Sequence, residues 1–371
     1  MNRRNFLSVT GGSILIAGVT YYLFSDKSNY TRNEVIQNND NAFIKTDERE
    51  ILFLASLAPS GHNTQPWFIK YIEPFHWIIC NDKSRWLSAV DPTQRETILS
   101  IGAFIQNLEY AARSLGYICQ FNLKAYVNQD EDIMDVLLKK SGNTTYDVQK
   151  IKQRSTIRSN FLDEALSTED LTYLVSGESD YYHFIPNTAK EYQWLNEQTI
   201  EANRIQSYRN PAQVELSNWI RFSSKDVEKY RDGLTTAGME IGGISGWVLR
   251  NYYGKSNVLS KKFSDQSIDT IKKQVSKSAG WILITSPGNT VTDLIETGKR
   301  LQCLLLKIRD KSIAIHPMSQ VLEESSTKQV LNQSIGISGN VQFILRTGYL
   351  KNYPEPVSLR RPVEWFTLKV G

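Results

Sequence analysis

In this 371-residue chain the most telling string is Ala58-Pro-Ser-Gly-His-Asn-Thr-Gln-Pro-Trp67. Its small and turn-forming residues hold the backbone tight, and Ser60, Asn63 and Gln65 present donors and acceptors from that fixed loop. Trp67 adds a flat apolar face. Such a loop suits a planar heteroaromatic ligand whose edge carries both N–H and C=O groups, because an amide side chain such as that of Asn63 can match both at once.

Outward from this loop, composition narrows the classes. A net charge of +4 is small for the length and gives no case for nucleic acid, which requires basic residues gathered on one face. Cys80, Cys119 and Cys303 are far apart and odd in number, so they form neither a metal-type spacing nor a disulfide framework, and the four histidines are scattered. No metal is expected. The hydrophobic content of 40% is enough for a substantial core.

The chain opens Met-Asn-Arg-Arg-Asn-Phe-Leu. Arg3-Arg4, then Phe6-Leu7, then an uncharged run to Ser25 read as a twin-arginine export signal over residues 1–25, which implies the twin-arginine translocase as a partner. The run of roughly 20 residues approaches what a bilayer requires. No small-x-small cleavage site follows, so retention of residues 6–24 as a membrane anchor and cleavage stand equal. The expected location is periplasmic or otherwise extracytoplasmic. The Asn- and Asp-rich stretch 26–47 reads as a linker.

The body repeats a pattern: a short apolar run from Trp77, a charged turn, then a helix, and the same again from Trp281. The first helix spans roughly 95–115, with Ile98, Ile101, Ile105, Leu108, Ala112 and Leu115 at i+3 and i+4 spacing. The second spans roughly 291–308. Both carry Gly-x-x-x-Gln-x-Leu: Gly102, Gln106 and Leu108 in one, Gly298, Gln302 and Leu304 in the other. Glycine on an apolar face lets two such helices approach closely. Strands Tyr117–Cys119 and Ile313–Ile315 follow the two helices, and Phe343–Tyr349 reads as a further strand. Residues 48–150 form module one and 151–371 module two, with a mostly helical insertion at about 192–277 that either lids the site or simply packs on the core.

The Ala58–Trp67 string resembles the Pro-Ser-x-x-Asn-x-Gln-Pro-Trp signature of the nitroreductase-like flavoproteins, and Arg154-Ser-Thr-Ile-Arg158 followed by Phe161 resembles the Arg-Arg-Ser-x-Arg-x-Phe opening of their modules. Ser155 stands here at the second Arg, and one extra residue precedes Phe161. The resemblance implies an α+β fold with two half-similar modules forming an intramolecular pseudo-dimer about central helices. It implies FMN as cofactor, with Pro59, Ser60, Asn63 and Gln65 at the isoalloxazine. The phosphate dianion needs charge-assisted donors, preferably Arg. Arg154, Ser155, Thr156 and Arg158 supply one cluster, and Arg360 and Arg361, in a stretch resembling the family's closing basic segment, supply another. His316, Pro317, Met318 and Ser319 are expected against the flavin ring, with His316 a candidate proton donor. No catalytic side chain is otherwise singled out.

Only one complete set of motifs exists, so one FMN per chain is expected. The implied function is an FMN-dependent oxidoreductase of nitroreductase type, reducing a small nitro, quinone or similar acceptor outside the cytoplasm. NAD(P)H and a quinone remain open as donors. The alternative is a non-catalytic protein that binds or stores FMN.

Overall fold

The computed structural model describes residues 43–142 and 146–370. The expected export signal at residues 1–25 and most of the expected linker at 26–47 lie outside the described residues. Among the described residues no helix is long and apolar enough to cross a membrane, and no cluster of His, Cys, Asp or Glu could hold a metal ion.

Two antiparallel sheets are built by the same recipe. In the first, β1 (Trp67–Glu73) and β2 (His76–Asn81) form a hairpin, and β3 (Tyr117–Leu123) and β4 (Asp132–Lys140) a second one, giving the order β1-β2-β4-β3. In the other, β5 (Tyr182–Pro186), β8 (Gly280–Ser286), β9 (Ile313–Pro317) and β10 (Asn340–Tyr349) stand in the order β5-β8-β10-β9. Strand for strand the orders correspond, and Trp77 and Trp281 occupy β2 and β8, both fully buried. Where the first sheet joins its hairpin with Pro74-Phe75, the second has the long insertion. That insertion is mostly helical and contributes two short parallel strands, β6 (Ile220–Arg221) and β7 (Leu234–Thr235). The chain then returns: β11 (Thr367–Lys369) pairs in parallel with β1, adding a fifth strand to the first sheet.

Three helices position the site. α1 (Thr46–Ser56) precedes the opening loop, α2 (Arg95–Ser114) links β2 to β3, and α3 (Val291–Lys307) links β8 to β9. α2 and α3 match the helices expected from periodicity, and they cross at their glycines. A Cβ on Gly102 would lie 2.2 Å from the Ile295 carbonyl oxygen, and one on Gly298 would lie 2.0 Å from that of Leu99 and 3.0 Å from Gly102 Cα. Both distances are below van der Waals contact, so only hydrogen atoms fit between the backbones. Gln302 Nε2 then donates to Asn107 Oδ1 at 2.6 Å across the buried interface.

α1 is fixed to the first sheet by one buried carboxylate. Glu48 accepts from the Phe75 N–H at 2.6 Å, Trp77 Nε1 at 3.1 Å, the Tyr71 hydroxyl at 3.0 Å and the Lys45 N–H at 2.9 Å. A buried charge with that many donors is satisfied and locks the helix to the β1–β2 turn. The helix beginning at Thr168 is capped by Ser167, whose side chain accepts from the Asp170 N–H.

Candidate functional site

A cavity of about 350 Å³ lies between the opening loop, the arginine cluster and the C-terminal segment, within the ~300–1,000 Å³ typical of small-molecule sites. Pro59, Ser60, His62 and Asn63 form one wall, Arg154 to Arg158 a second, and Pro354 to Arg360 a third. The fourth wall is the Gly233–Gly242 segment of the insertion, including Gly238 and Glu240. This segment belongs to the insertion at about 192–277, for which lidding the site and packing on the core were both open.

The loop is held by its own side chains. Ser60 Oγ accepts from the Gln65 N–H at 2.9 Å, and His62, Asn63 and Gln65 all adopt positive φ (47°, 55° and 53°). Three left-handed non-glycine residues within four positions persist only where surrounding contacts over-determine them. Those contacts are visible. Asn63 Nδ2 donates to the carbonyls of Gly233 and Leu359, each at 3.2 Å, while Oδ1 accepts from Arg360 Nη1 at 2.8 Å. Gln65, fully buried, donates to the Arg231 carbonyl at 3.0 Å and accepts from the Arg361 N–H at 3.0 Å. Asn63 therefore reaches the cavity wall with its amide spent on protein partners, and Gln65 does not line the cavity. Trp67 is buried in the core against Phe104, ring centroids 5.0 Å apart, and offers no face to a ligand.

Arg360 and Arg361, expected as phosphate anchors, point their donors inward. Arg360 donates to the carbonyls of Ser56, Leu57 (3.1 Å) and Ala58 (2.9 Å) at the C-terminus of α1, and to its neighbour Leu359 (2.6 Å). It caps the helix and ties it to Asn63. Burial, with Arg154 nearby, pushes its pKa well below the usual arginine value. Arg361 donates to the carbonyls of Gln65 and Trp67, both at 2.7 Å.

The 154–158 cluster is different. Arg154 is buried at the cavity, and desolvation with Arg158 beside it lowers its pKa to about 10. Ser155 Oγ is a buried hydroxyl with no hydrogen-bond partner. Thr156 shares that wall. Arg346 on β10, which sequence reading passed over, supports the segment from behind: its Nη2 donates to the Arg158 carbonyl at 2.5 Å, and its guanidinium lies 4.1 Å from the Phe161 ring centroid. Cationic donors gathered around a buried, unpartnered hydroxyl fit a phosphate group, and the cavity volume fits a small heteroaromatic body beside it.

His316 ends β9 and, with Pro317, Met318 and Ser319, lies behind this pole and does not line the cavity. Met318 belongs to an apolar cluster with Trp281 and Leu283. His316 Nδ1 and Ser319 Oγ are buried without partners. Burial, together with Arg158 and Arg346, drives the His316 pKa well below 6.5, and burial with Arg158 holds His62 at about 4. Neither ring is a cationic proton donor at neutral pH.

Both imidazoles are neutral in the fold, whereas in the unfolded chain each takes a proton near pH 6.5. The unfolded state then binds more protons as pH falls, so stability drops from about pH 6.5 down toward 4. For His62, discounted for its partial exposure, the loss is on the order of 2 kcal/mol. Urea midpoints at pH 7 and pH 5 should differ, and His62→Gln should narrow that difference; an equal gap in the variant would remove His62 as a cause.

No family model matches the chain. It is 21% identical over 325 residues to PigM of Serratia sp. (strain ATCC 39006), described as a probable NAD(P)H nitroreductase, covering 80% of this chain and 86% of that protein. Over 81 residues it is 36% identical to a Mycobacterium tuberculosis protein provisionally described as an NAD(P)H nitroreductase, about a fifth of each chain (20% and 21%). Among solved structures, an FMN-bound nitroreductase from Desulfitobacterium hafniense overlays with a TM-score of 0.33 at 12% identity, covering 56% of this chain and 91% of that one. The FMN-dependent nitroreductase NfnB from Mycobacterium smegmatis, in complex with NADPH, overlays with a TM-score of 0.35 at 11% identity, covering 60% and 97%. Across most of its length, this α+β chain is similar to the nitroreductase-like proteins.

Proposed function

We propose that the chain is an FMN-dependent oxidoreductase of nitroreductase type, with one FMN in the cavity described above. The observation that carries this reading is convergence. The Pro59–Asn63 loop, the Arg154–Arg158 cluster and the 354–360 segment, remote in sequence, wall a single cavity of fitting volume. Similarity to PigM supports the same class.

Arg154, Ser155, Thr156 and Arg158 would hold the phosphate, and the Pro59–Asn63 backbone would border the ring. When bound, FMN supplies two-electron redox chemistry. The protein's own residues would bind and orient it, with the Gly233–Gly242 segment as one wall of the cavity. The relatives' descriptions make NAD(P)H a candidate donor. A quinone donor is the other candidate if the chain acts outside the cytoplasm, as the Arg3-Arg4 segment suggests. The matching strand orders support two halves of common design, an intramolecular pseudo-dimer in which only one half-site pair retained its motifs.

Purified full-length protein should be yellow and hold one FMN per chain. Arg158→Ala should weaken FMN at least tenfold, the loss of one charge-assisted contact or more. Bleaching by NAD(P)H and reoxidation by a nitroarene or quinone would establish turnover. Bleaching by dithionite alone would favour storage. Failure to take up FMN would exclude both.

A further inference from the structure

The phosphate-binding pole of the cavity already holds an anion of the protein's own. Glu240, on the insertion, accepts from the Arg158 backbone N–H at 2.6 Å through one carboxylate oxygen and from the Ser159 hydroxyl through the other. The same segment takes the Arg158 side chain, whose Nη1 donates to the Gly238 carbonyl at 2.7 Å. Glu240 does this from a left-handed backbone, φ 59°, a conformation that costs a non-glycine residue energy and is kept only where contacts repay it. The repayment is the bond to Arg158 and Ser159. Beside it, Ser155 Oγ is buried and unpartnered, so the pole has a donor that Glu240 does not satisfy.

A phosphate dianion entering this pole would meet the Glu240 carboxylate at close range in a poorly solvated site, where like charges repel strongly. Both cannot keep the Arg158–Ser159 donors. The two ends of the segment are fastened differently. At Gly233 it is pinned to the opening loop, with the Gly233 N–H donating to the Asn63 carbonyl at 3.1 Å and Asp232 pairing with Arg85 and Arg221. Beyond Gly238, its links to the 154–159 cluster are the contacts of Gly238 and Glu240 just described.

We propose that Glu240 is a built-in anion latch: its carboxylate holds the Arg158–Ser159 donors until the phosphate of FMN takes them, and its release frees the Leu234–Gly242 segment at the cavity wall. The inference rests on the FMN reading of this cavity. It makes cofactor occupancy and the position of that wall one coupled equilibrium, in which the latched state lowers apparent FMN affinity by the fraction of molecules that are latched.

The test uses the full chain stripped of flavin, titrated with FMN and with riboflavin, which has the same ring system and no phosphate. Glu240→Gln and Glu240→Ala should each bind FMN roughly tenfold or more tightly than the parent, with riboflavin affinity unchanged. Unchanged or weaker FMN binding in both variants, while the parent still prefers FMN to riboflavin, overturns the latch and leaves the FMN reading standing. A parent that binds neither flavin, or shows no preference between them, overturns the phosphate assignment and the latch together. In the unmutated chain, amide exchange of residues 234–242 should rise on adding FMN and not on adding riboflavin; no change with FMN overturns the latch without relying on any variant.

Discussion

Gly298→Ala is expected to destabilise the protein by more than ~3 kcal/mol, although alanine is the better helix former. In an exposed helix the exchange would gain about 1 kcal/mol from reduced backbone entropy. Here the new methyl carbon would sit 2.0 Å from the Leu99 carbonyl oxygen and 3.0 Å from Gly102 Cα. Those neighbours are backbone atoms of a 20-residue helix and cannot rotate away as a side chain could. Relief requires α2 and α3 to separate by an ångström or more, which would open gaps along Leu99, Ile295, Leu301 and Leu305, all buried. Overpacking of this kind typically costs 1–3 kcal/mol, and more where backbone must move. Gly102→Ala should behave alike, since its methyl would meet the Ile295 carbonyl at 2.2 Å. Gly254→Ala is the control: nothing lies within 4 Å of its missing Cβ, and its effect should stay within ~0.5 kcal/mol. Chemical denaturation midpoints decide it. A Gly298→Ala protein as stable as the parent would mean that the central helices do not cross this closely.

That crossing was legible in the sequence because two signals agreed: the 3.6-residue apolar period of α2, and the Gly-x-x-x-Gln-x-Leu pattern that places a glycine in both α2 and α3. Helix ends came within a residue for the same reason. The site was legible in part. The loop and the Arg154–Arg158 cluster were expected at one site, and both line the same cavity. The fourth wall was legible only as one of two readings of the 192–277 insertion, because Gly233–Gly242 reaches Asn63 across 170 residues of chain with no periodic signature to announce it. Asn63, Gln65 and Trp67 read as ligand contacts because residue type shows what a side chain can bond, not which partner will reach it first. In the fold the carbonyls of Gly233, Leu359 and Arg231 take the amide donors of Asn63 and Gln65, and the core takes the indole.

Arg360 shows the same ambiguity at its most consequential, and Arg360→Ala is expected to cost roughly 3–5 kcal/mol of stability. As a phosphate anchor its loss would lower cofactor affinity and spare the fold. The structure gives it another task. α1 ends at Leu57 with an αR C-cap and no glycine beyond it, so its last carbonyls lack the usual closing turn. The Arg360 guanidinium supplies the missing donors to Ser56, Leu57 and Ala58 and continues to Asn63 Oδ1. With Arg360 buried, alanine would strand these acceptors away from water and leave a void the size of the side chain. Each stranded group costs about 1–3 kcal/mol, partly relieved by entering water. Arg360→Lys should recover little, because one ammonium cannot reach acceptors spread across a guanidinium fork. The comparison with Arg158→Ala separates the two roles. Arg158→Ala should lose FMN affinity with a modest change in denaturation midpoint, whereas Arg360→Ala should lose the midpoint first and FMN only as the Pro59–Asn63 loop loosens. Equal stability of Arg360→Ala and the parent, with FMN affinity reduced, would return Arg360 to the phosphate.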